Sequence, residues 1–284
     1  MRSCVLAVLF VCPTIYCQNL SQPLTQVDAC RAIKKAVVQV DTATVHGTGF
    51  IVDPNGWIVT AFHVVADQQT LVKYENITVS VLGSMHPIPA EIVSTIDNIA
   101  RIRDFAILKI NETKLPFLEL GSEVNIEDGS PIAIVGFPLS AMFRIPPYPI
   151  PRFCLGGTVA AQTAAPLPKR NLQFLRTVYF QGVSVKGISG SPIVSLVTGK
   201  VIGIVSTKLS GITTGLDATR TLNRQAGPVI KISGPDGTID VTDEISSLID
   251  VLDNQLANGL GTGTGATDAA EALRRAKQNY KKAY

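Results

Sequence analysis

The segment Gly187-Ile188-Ser189-Gly190-Ser191-Pro192 has the composition of a turn that exposes a nucleophilic serine. Glycines on both sides of Ser189 permit a tight turn whose backbone N–H groups point at one spot. Acyl transfer needs this arrangement, because the oxyanion of the tetrahedral intermediate forms beside the nucleophile. We interpret Ser189 as a candidate nucleophile, with the N–H groups of Gly187 and Ser189 as an oxyanion hole. The alternative is an ordinary turn before the strand PIVSLV.

His63 and Asp104 are the candidate partners of this serine. His63 lies in the sequence TAFHVV, and histidine is the side chain most often used as a general base near neutral pH. Asp104 begins an apolar segment, where a buried carboxylate needs a partner that an imidazole N–H can provide. The alternatives are a histidine satisfied within the core and an exposed aspartate paired with Arg101 or Arg103. Asp97 is a less well placed competitor of Asp104.

Short strand-like segments surround these residues. The 284-residue chain has 23 Gly, 17 Pro, 46% apolar and 17% charged residues, which favours a large core built from many short elements. From Ala36 onward, two series of segments rich in Val and Ile are bounded by Gly, Pro, Asn or Asp. This pattern predicts an all-β fold with two antiparallel barrels, at residues 36–125 and 126–242. Residues 231–240 are expected to form a hairpin.

The two ends of the chain differ from the barrels. Residues 1–17 contain one cation and a short apolar run, as in a signal peptide, so we expect a secreted or periplasmic protein without a stable membrane span. The alternatives are a short membrane anchor and a wrongly assigned start of the chain. Residues 18–35 are an N-terminal segment. After the second barrel we predict a packed helix at 243–257, a flexible Gly-rich linker at 258–268 and a basic C-terminal helix at 269–284.

The net charge of +3 is concentrated in this basic C-terminal helix, which leaves the rest of the chain nearly neutral. A nucleic-acid-binding domain needs a basic face on the fold itself, so we expect no nucleic-acid partner. The basic C-terminal helix predicts contact with a partner or an anionic surface, or else a solvated and partly frayed tail.

Cys30 and Cys154 are the cysteines that follow the predicted signal peptide. In an oxidising compartment they are compatible with one disulfide, and two buried free thiols are the equal alternative. The three histidines of the chain lack metal-ligand spacing. We therefore expect neither a metal nor a cofactor.

Taken in order, GTGFIV, TAFHVV, RDFAILKI, GISGSP and VIGIVS resemble the chymotrypsin/trypsin-like serine protease superfamily, nearest its bacterial Deg/HtrA-type and glutamyl-endopeptidase-type branches. The resemblance implies two six-stranded barrels with the active site in the cleft between them. It also implies that His63 is the general base and acid, that Asp104 orients it, and that Ser189 attacks the scissile carbonyl. The same resemblance assigns the oxyanion hole to Gly187 and Ser189. We therefore predict a secreted serine endopeptidase that hydrolyses protein or peptide substrates through an acyl-enzyme.

Departures from the family pattern narrow this prediction. Ile188 stands where digestive members have an aspartate that captures a newly cleaved N-terminal amine, so activation by that ion pair is excluded. Val64 stands where animal members have a cysteine. We also expect no PDZ domain after the last recognisable strand.

Specificity is predicted from the resemblance. Val183 occupies the pocket floor and offers no acidic partner to Lys or Arg, whereas Lys186 and Lys208 can attract an acid. The segment Ser206-Thr207-Lys208 is expected to pair with the substrate backbone as an added strand. We expect a small or medium apolar residue before the cleaved bond.

Two other functions fit the same residues. A non-catalytic protease homologue would use the cleft or the basic C-terminal helix as a protein-binding module, because a fold does not guarantee a function. An esterase would use the same triad. The α/β-hydrolase type is disfavoured because it orders its triad Ser, Asp, His and uses a G-x-S-x-G turn.

Overall fold

The computed structural model describes residues 23–94, 97–138, 151–166, 174–182, 187–208, 231–234, 237–240 and 259–283. These residues form a seven-stranded sheet, a closed six-stranded barrel and a two-stranded hairpin. The predicted signal peptide and the packed helix predicted at 243–257 lie outside the described residues.

The first sheet is antiparallel throughout, with strand order β5-β4-β1-β2-β3-β7-β6. Its strands are β1 (Val37–Asp41), β2 (His46–Asp53), β3 (Trp57–Thr60), β4 (Thr78–Ser80), β5 (Ile88–Pro89), β6 (Glu91–Ile92) and β7 (Ala106–Lys109). Neighbouring side chains of a strand point to opposite faces. Ile51 and Ile58 accordingly lie in the core of this sheet, whereas Phe50 and Val59 lie in a second core shared with the barrel.

The barrel closes in the order β10-β15-β12-β11-β8-β9. Its strands are β8 (Pro131–Gly136), β9 (Phe153–Pro166), β10 (Phe174–Gly182), β11 (Pro192–Ser195), β12 (Val201–Lys208) and β15 (Gly259–Gly265). The predicted hairpin is present as β13 (Lys231–Gly234) and β14 (Gly237–Asp240), which pair only with each other among the described strands.

The all-β prediction with two barrels is confirmed, since one sheet is nearly closed and the other is closed. The predicted strand number of the first sheet and the predicted boundaries of both barrels need correction. The first sheet has seven strands rather than six, because β5 and β6 are separate two-residue strands on either side of Ala90. Ala36 ends a helix instead of starting the first barrel, and the second barrel takes its last strand from beyond residue 242.

The Gly-rich linker predicted at 258–268 is wrong, because residues 259–265 are strand β15. Their alternating glycines share one face of the strand, and at Gly261, Gly263 and Gly265 larger residues do not fit. A Cβ at Gly261 would lie 2.3 Å from the Phe180 ring, and a Cβ at Gly263 would lie 2.6 Å from Ile193. The alternation that suggested flexibility is therefore the two-residue period of a strand against crowded neighbours.

Helix α1 (Gln26–Ala36) occupies most of the predicted N-terminal segment. The side chain of Thr25 caps its first turn by accepting a hydrogen bond from the backbone N–H of Asp28. Its apolar face is buried, and Cys30 on the helix forms a disulfide with Cys154 on β9. The two free thiols that the sequence left open are therefore excluded.

The basic C-terminal helix spans Ala266–Ala283, which makes it three residues longer at its start than predicted. We call it helix α4, because two further helices, α2 (Phe62–Val65) and α3 (Asn98–Arg103), lie between it and α1 in the chain. Its Ala269, Leu273 and Ala276 are buried in the shared core, and Tyr280 meets Trp57 edge to face at 5.5 Å. It is thus a packed element rather than a frayed tail, and its contact with a partner stays a prediction.

Within the part of the chain that the structure describes, no helix has the length and apolarity to cross a bilayer.

The disulfide yields a first prediction. Replacing Cys30 and Cys154 together by serine is expected to lower the free energy of unfolding by about 2–5 kcal/mol, because the bond closes a long stretch of chain; the two cysteines are 124 residues apart. Denaturant unfolding of the wild type and the double variant under oxidising conditions measures the difference. Equal midpoints would show that the bond contributes nothing to stability, and reduced wild type serves as the control.

A second prediction concerns pH. Burial acts to raise the pKa of Asp53, but hydrogen bonds from Lys277 on α4 and from Asn55 outweigh it and hold the pKa below its ordinary value of 3.8. The ionised carboxylate therefore stabilises the fold above pH 3.8, and this stabilisation is lost as the pH falls through the lower folded pKa. Asp53→Asn should melt below the wild type at pH 7.

The gap between the two melting temperatures should shrink on acidification below pH 3.8, the ordinary pKa of Asp53. Lys277→Gln removes the other half of the pair and should show the same trend. A gap that stays constant from neutral to acid pH would contradict the assignment.

Candidate active site

His63 lies in α2 (Phe62–Val65), a short helix that follows β3. Its neighbours Phe62, Val64 and Val65 are buried, and Val64 and Val65 pack in the core of the first sheet. The His63 side chain stays 27% exposed, and its Nδ1 lies 2.9 and 3.0 Å from the two carboxylate oxygens of Asp104. The interpretation of His63 as a histidine enclosed in the core does not fit this exposure.

Asp104 ends α3 (Asn98–Arg103) in the left-handed conformation, with φ of +47°. Aspartate tolerates this conformation better than most side chains. Its side chain is only 7% exposed, so the alternative of an exposed aspartate is wrong. Arg103 instead pairs with Asp268, and Asp97 caps α3 by accepting the N–H groups of the first turn.

The buried carboxylate of Asp104 accepts hydrogen bonds from several donors. Beside the imidazole, these are the backbone N–H of His63 at 3.1 Å, the side-chain amide of Gln68 at 3.2 Å and the hydroxyl of Ser206. A buried carboxylate is costly unless its oxygens are hydrogen-bonded, and this set of donors supplies those hydrogen bonds. The two contacts with Asp104 hold the His63 ring with Nδ1 toward the carboxylate, so Nε2 lies on the opposite side of the ring.

Ser189 lies on a tight turn before β11. Gly187 and Gly190 have φ of +97° and +85°, a region that side chains rarely adopt, so this turn depends on glycine at both positions. The N–H of Ser191 closes the turn by donating to the carbonyl of Ile188 at 2.9 Å. The turn thus has the tight conformation expected from its glycines.

The N–H groups of Gly187 and Ser189 are those predicted to form the oxyanion hole. None of the described residues accepts a hydrogen bond from either of them. Their carbonyls are engaged instead. The carbonyl of Ser189 accepts the N–H of Thr48 at 2.9 Å, and that of Gly187 accepts the hydroxyl of Thr48 at 2.7 Å. Because Thr48 lies in β2, the turn is anchored to the first sheet.

Ser206 connects the acid and the candidate nucleophile. Its hydroxyl donates to Asp104, and its carbonyl accepts the hydroxyl of Ser189 at 3.4 Å. The three predicted residues are therefore brought into one network. Among the described contacts the Ser189 hydroxyl and the His63 ring share no hydrogen bond. Catalytic hydrogen bonds are often long before substrate binds.

The predicted substrate-binding residues have different outcomes. Val183 and Lys186 lie outside the described residues. Ser206, predicted only as part of the substrate wall, is the extra residue of a β-bulge in β12 that aims its hydroxyl at Asp104. Thr207 and Lys208 pair with β15, and no described strand pairs with their other edge.

The sequence analysis did not predict three hydrogen bonds of the site, which the side chains of Thr48, Gln68 and Ser206 donate. Each acts on a residue 36 or more positions away. No local pattern marks them, because their spacing follows from how the two sheets pack. Among the described residues, no group of three or more His, Cys, Asp or Glu side chains is placed to hold a metal ion.

Helix α4 contacts the segment that carries Asp104. The carboxylate of Asp268, 1% exposed, pairs with Arg103 at 3.7 Å and with Arg176 at 3.0 Å. Burial raises the pKa of Asp268, although both guanidinium groups act in the opposite direction. Just before the helix, the hydroxyl of Thr264 donates to the backbone carbonyl of Arg103. The residue preceding Asp104 is therefore held by both its side chain and its backbone.

A sequence profile of the trypsin-like peptidase domain matches residues 47–204, more than half of the chain. The chain therefore belongs to the trypsin-like peptidase family, and the resemblance to its Deg/HtrA-type serine proteases is confirmed. The mitochondrial serine proteases HTRA2 of Drosophila persimilis and Drosophila willistoni are each 28% identical over 166 residues, or 58% of this chain and 34% of theirs. The chain thus spans about a third of the length of these curated relatives.

Solved structures share the fold. The Rv3671c protease in its inactive form superimposes with a TM-score of 0.50 at 21% identity, over 65% of this chain and 82% of that one. The HtrA-type protease AlgWS227A with a tripeptide gives a TM-score of 0.51 at 18% identity, over 72% of this chain and 65% of that one.

A third prediction tests the turn at Ser189. In Gly190→Ala the new Cβ would lie 2.0 Å from the carbonyl oxygen of Thr48. We expect a loss of about 1–3 kcal/mol from overpacking, in addition to about 1–2 kcal/mol for the left-handed backbone. Gly83→Ala is the matched control, because Gly83 has φ of +86° and nothing within 4 Å of its Cβ position. Equal losses in urea unfolding of both variants would contradict the close packing of the turn.

Proposed function

We propose that this protein is a serine endopeptidase in which Ser189 is the nucleophile, His63 the general base and acid, and Asp104 the residue that orients the imidazole. The observation that carries the proposal is the hydrogen-bonded pair of His63 and Asp104, joined through Ser206 to a turn that presents the Ser189 hydroxyl. The Ser-His-Asp arrangement is defined by such roles rather than by sequence position.

The reaction begins when the Ser189 hydroxyl exchanges its bond to the carbonyl of Ser206 for one to Nε2 of His63. As the oxygen of Ser189 attacks the scissile carbonyl carbon, Nε2 takes its proton, and the Asp104 carboxylate stabilises the imidazolium that forms. The negative charge develops on the carbonyl oxygen, where the N–H groups of Gly187 and Ser189 stabilise it.

The tetrahedral intermediate collapses when Nε2 of His63 returns the proton to the leaving amine, and an ester to Ser189 remains. Water then enters, gives one proton to Nε2 and attacks the acyl carbon. The second collapse returns this proton to Ser189 and releases the carboxylic acid product. Every proton transferred in the cycle passes through this one ring nitrogen, so the proposed steps use only groups of the chain and water.

Substrate is proposed to bind along the outer edge of β12. This edge of Thr207 and Lys208 has no described neighbouring strand, so an extended peptide can add to it by main-chain hydrogen bonds. We propose a small or medium apolar residue before the cleaved bond, with Val183 at the pocket floor. Lys186 and Lys208 are proposed to add attraction for acidic groups.

A secreted or periplasmic location is supported by the disulfide between Cys30 and Cys154. Disulfides persist in oxidising compartments and are rare in the cytosol. Protein or peptide substrates met in such a compartment are the proposed targets.

A fourth prediction tests the nucleophile with a fluorophosphonate probe and mass-spectrometric mapping of the labelled peptide. The folded wild type should be labelled at Ser189, and Ser189→Ala should not be labelled. Where a cleaved peptide is available, Ser189→Ala should lower kcat by at least about 10⁴-fold. Ser84→Ala is a control that should leave both readouts unchanged, since among the described residues the Ser84 hydroxyl donates to the carbonyl of His86 in the same turn. A folded wild type that neither reacts with the probe nor cleaves peptides would favour a non-catalytic, protein-binding homologue.

A further inference from the structure

Gln68 reaches the Asp104 carboxylate from an exposed loop. Its side-chain amide nitrogen lies 3.2 Å from Oδ1 of Asp104, a residue 36 positions further along the chain. Gln68 is exposed, whereas the Asp104 side chain is only 7% exposed. The amide therefore lies at the boundary between the buried carboxylate and solvent.

The covalent structure of Asp104 does not by itself fix the plane of its carboxylate. The torsion that turns a carboxylate about its Cβ–Cγ bond is broad, so the hydrogen-bond donors decide the plane. Oδ1 accepts the backbone N–H of His63 and the amide of Gln68, and Oδ2 accepts the hydroxyl of Ser206. Because Nδ1 of His63 lies 3.0 and 2.9 Å from these two oxygens, the carboxylate plane sets the tilt of the imidazole ring.

The backbone of Gln68 is held on both sides. The peptide before it is held through the carbonyl of Asp67, which accepts the N–H of Leu71 at 3.0 Å. The peptide after it is held at both ends. Its N–H, from Gln69, donates to the Asp67 carboxylate at 2.9 Å, and its carbonyl accepts Nη1 of Arg101 at 3.4 Å. Peptide groups are planar, so these contacts restrain both backbone dihedral angles of Gln68 and with them the direction of its Cα–Cβ bond.

The loop that carries Gln68 is closed by its own hydrogen bonds. Ala66 and Lys73 form a β-bridge across its base. The Asp67 carboxylate accepts the N–H of Thr70 at 2.7 Å and the hydroxyl of Thr70 at 2.9 Å, and these hydrogen bonds hold the pKa of Asp67 below its ordinary value of 3.8. Gln68 is therefore presented by an ordered turn, as a group that positions another must be.

The neighbouring cations are engaged elsewhere. Arg103 precedes Asp104 in the chain but pairs with Asp268, and Arg101 donates to the carbonyl of Gln68. Among the described contacts, neither guanidinium group donates to the Asp104 carboxylate. A neutral amide in this place holds the carboxylate without opposing the positive charge that the proposed reaction develops on the imidazole.

We propose that Gln68 is a positioning residue for catalysis, whose amide sets the plane of the Asp104 carboxylate and thereby the tilt of the His63 ring. This inference rests on the proposed function. In this role Gln68 acts through Asp104 rather than on the substrate. Its loss should slow the chemical step more than it weakens substrate binding, because the ring orientation matters for proton transfer.

A fifth prediction tests this role with Gln68→Met, which keeps the length of the side chain and removes the amide. We expect the maximal rate of fluorophosphonate labelling, and kcat where a cleaved peptide is available, to fall about 10-fold, a loss equivalent to one hydrogen bond. The probe concentration at half-maximal rate and KM should stay within about threefold. Gln68→Glu keeps the shape but places a carboxyl oxygen against Oδ1 of Asp104, so its maximal rate should fall further.

Gln69 provides the matched control. It is the next residue of the same loop and is exposed, and among the described contacts it takes part through its backbone N–H. Gln69→Met and Gln69→Glu make the same chemical changes one position away and should retain wild-type rates. All four variants should melt close to the wild type, because exposed side chains contribute little to stability.

Each remaining outcome decides the question. Wild-type rates in Gln68→Met would overturn the proposal, and so would equal losses in the matched variants at positions 68 and 69. A raised KM with unchanged kcat would make Gln68 a substrate contact and overturn it as well. Should Gln68→Met fail to fold, Gln68→Ala removes the same amide, and failure of both would assign Gln68 a purely structural role. A wild type without labelling would instead overturn the proposed function, so the two failures are distinguishable.

Discussion

The hydrogen bonds that satisfy the buried carboxylate of Asp104 are the interaction on which the rest of the site depends. A carboxylate with this little contact with water is unfavourable unless donors surround it. The donors come from α2, from the loop after it and from β12 of the barrel. The first sheet alone supplies only some of them. The Asp104 carboxylate is fully hydrogen-bonded only when the first sheet packs correctly against the barrel. The orientation of His63 therefore depends on that packing.

A second buried carboxylate, that of Asp268, makes the position of the Asp104 segment depend on helix α4 as well. Asp268 lies at the start of that helix and holds Arg103, the neighbour of Asp104, while it also holds Arg176 on β10. Breaking one partner of a buried ion pair leaves an uncompensated charge, which is costly. The position of the segment that carries Asp104 is therefore linked to the packing of α4.

Short sequence patterns predicted the local surroundings of the candidate site residues. Contacts between residues far apart in the chain were missed, because they depend on how the sheets pack. His63, Asp104 and Ser189 were singled out because glycine-rich turns and apolar strands place them in recognisable local surroundings. Thr48 and Ser206 were not assigned their contacts, because these depend on a sheet-to-barrel register and on a bulge. Strand β15 was misread since its glycines fit equally a flexible linker and a strand packed against large neighbours. The disulfide remained open because spacing along the chain does not measure distance.

The late position of β15 in the chain has a consequence for biogenesis. The barrel closes only when residues 259–265 insert between β10 and β12, which are both made much earlier. Such distant pairings form slowly, because a long intervening segment must be ordered first. A ribosome that has not yet released these residues therefore carries an open barrel, with Arg103 lacking the hydroxyl of Thr264. The segment that precedes Asp104 therefore acquires this contact only after residues 259–265 have been made.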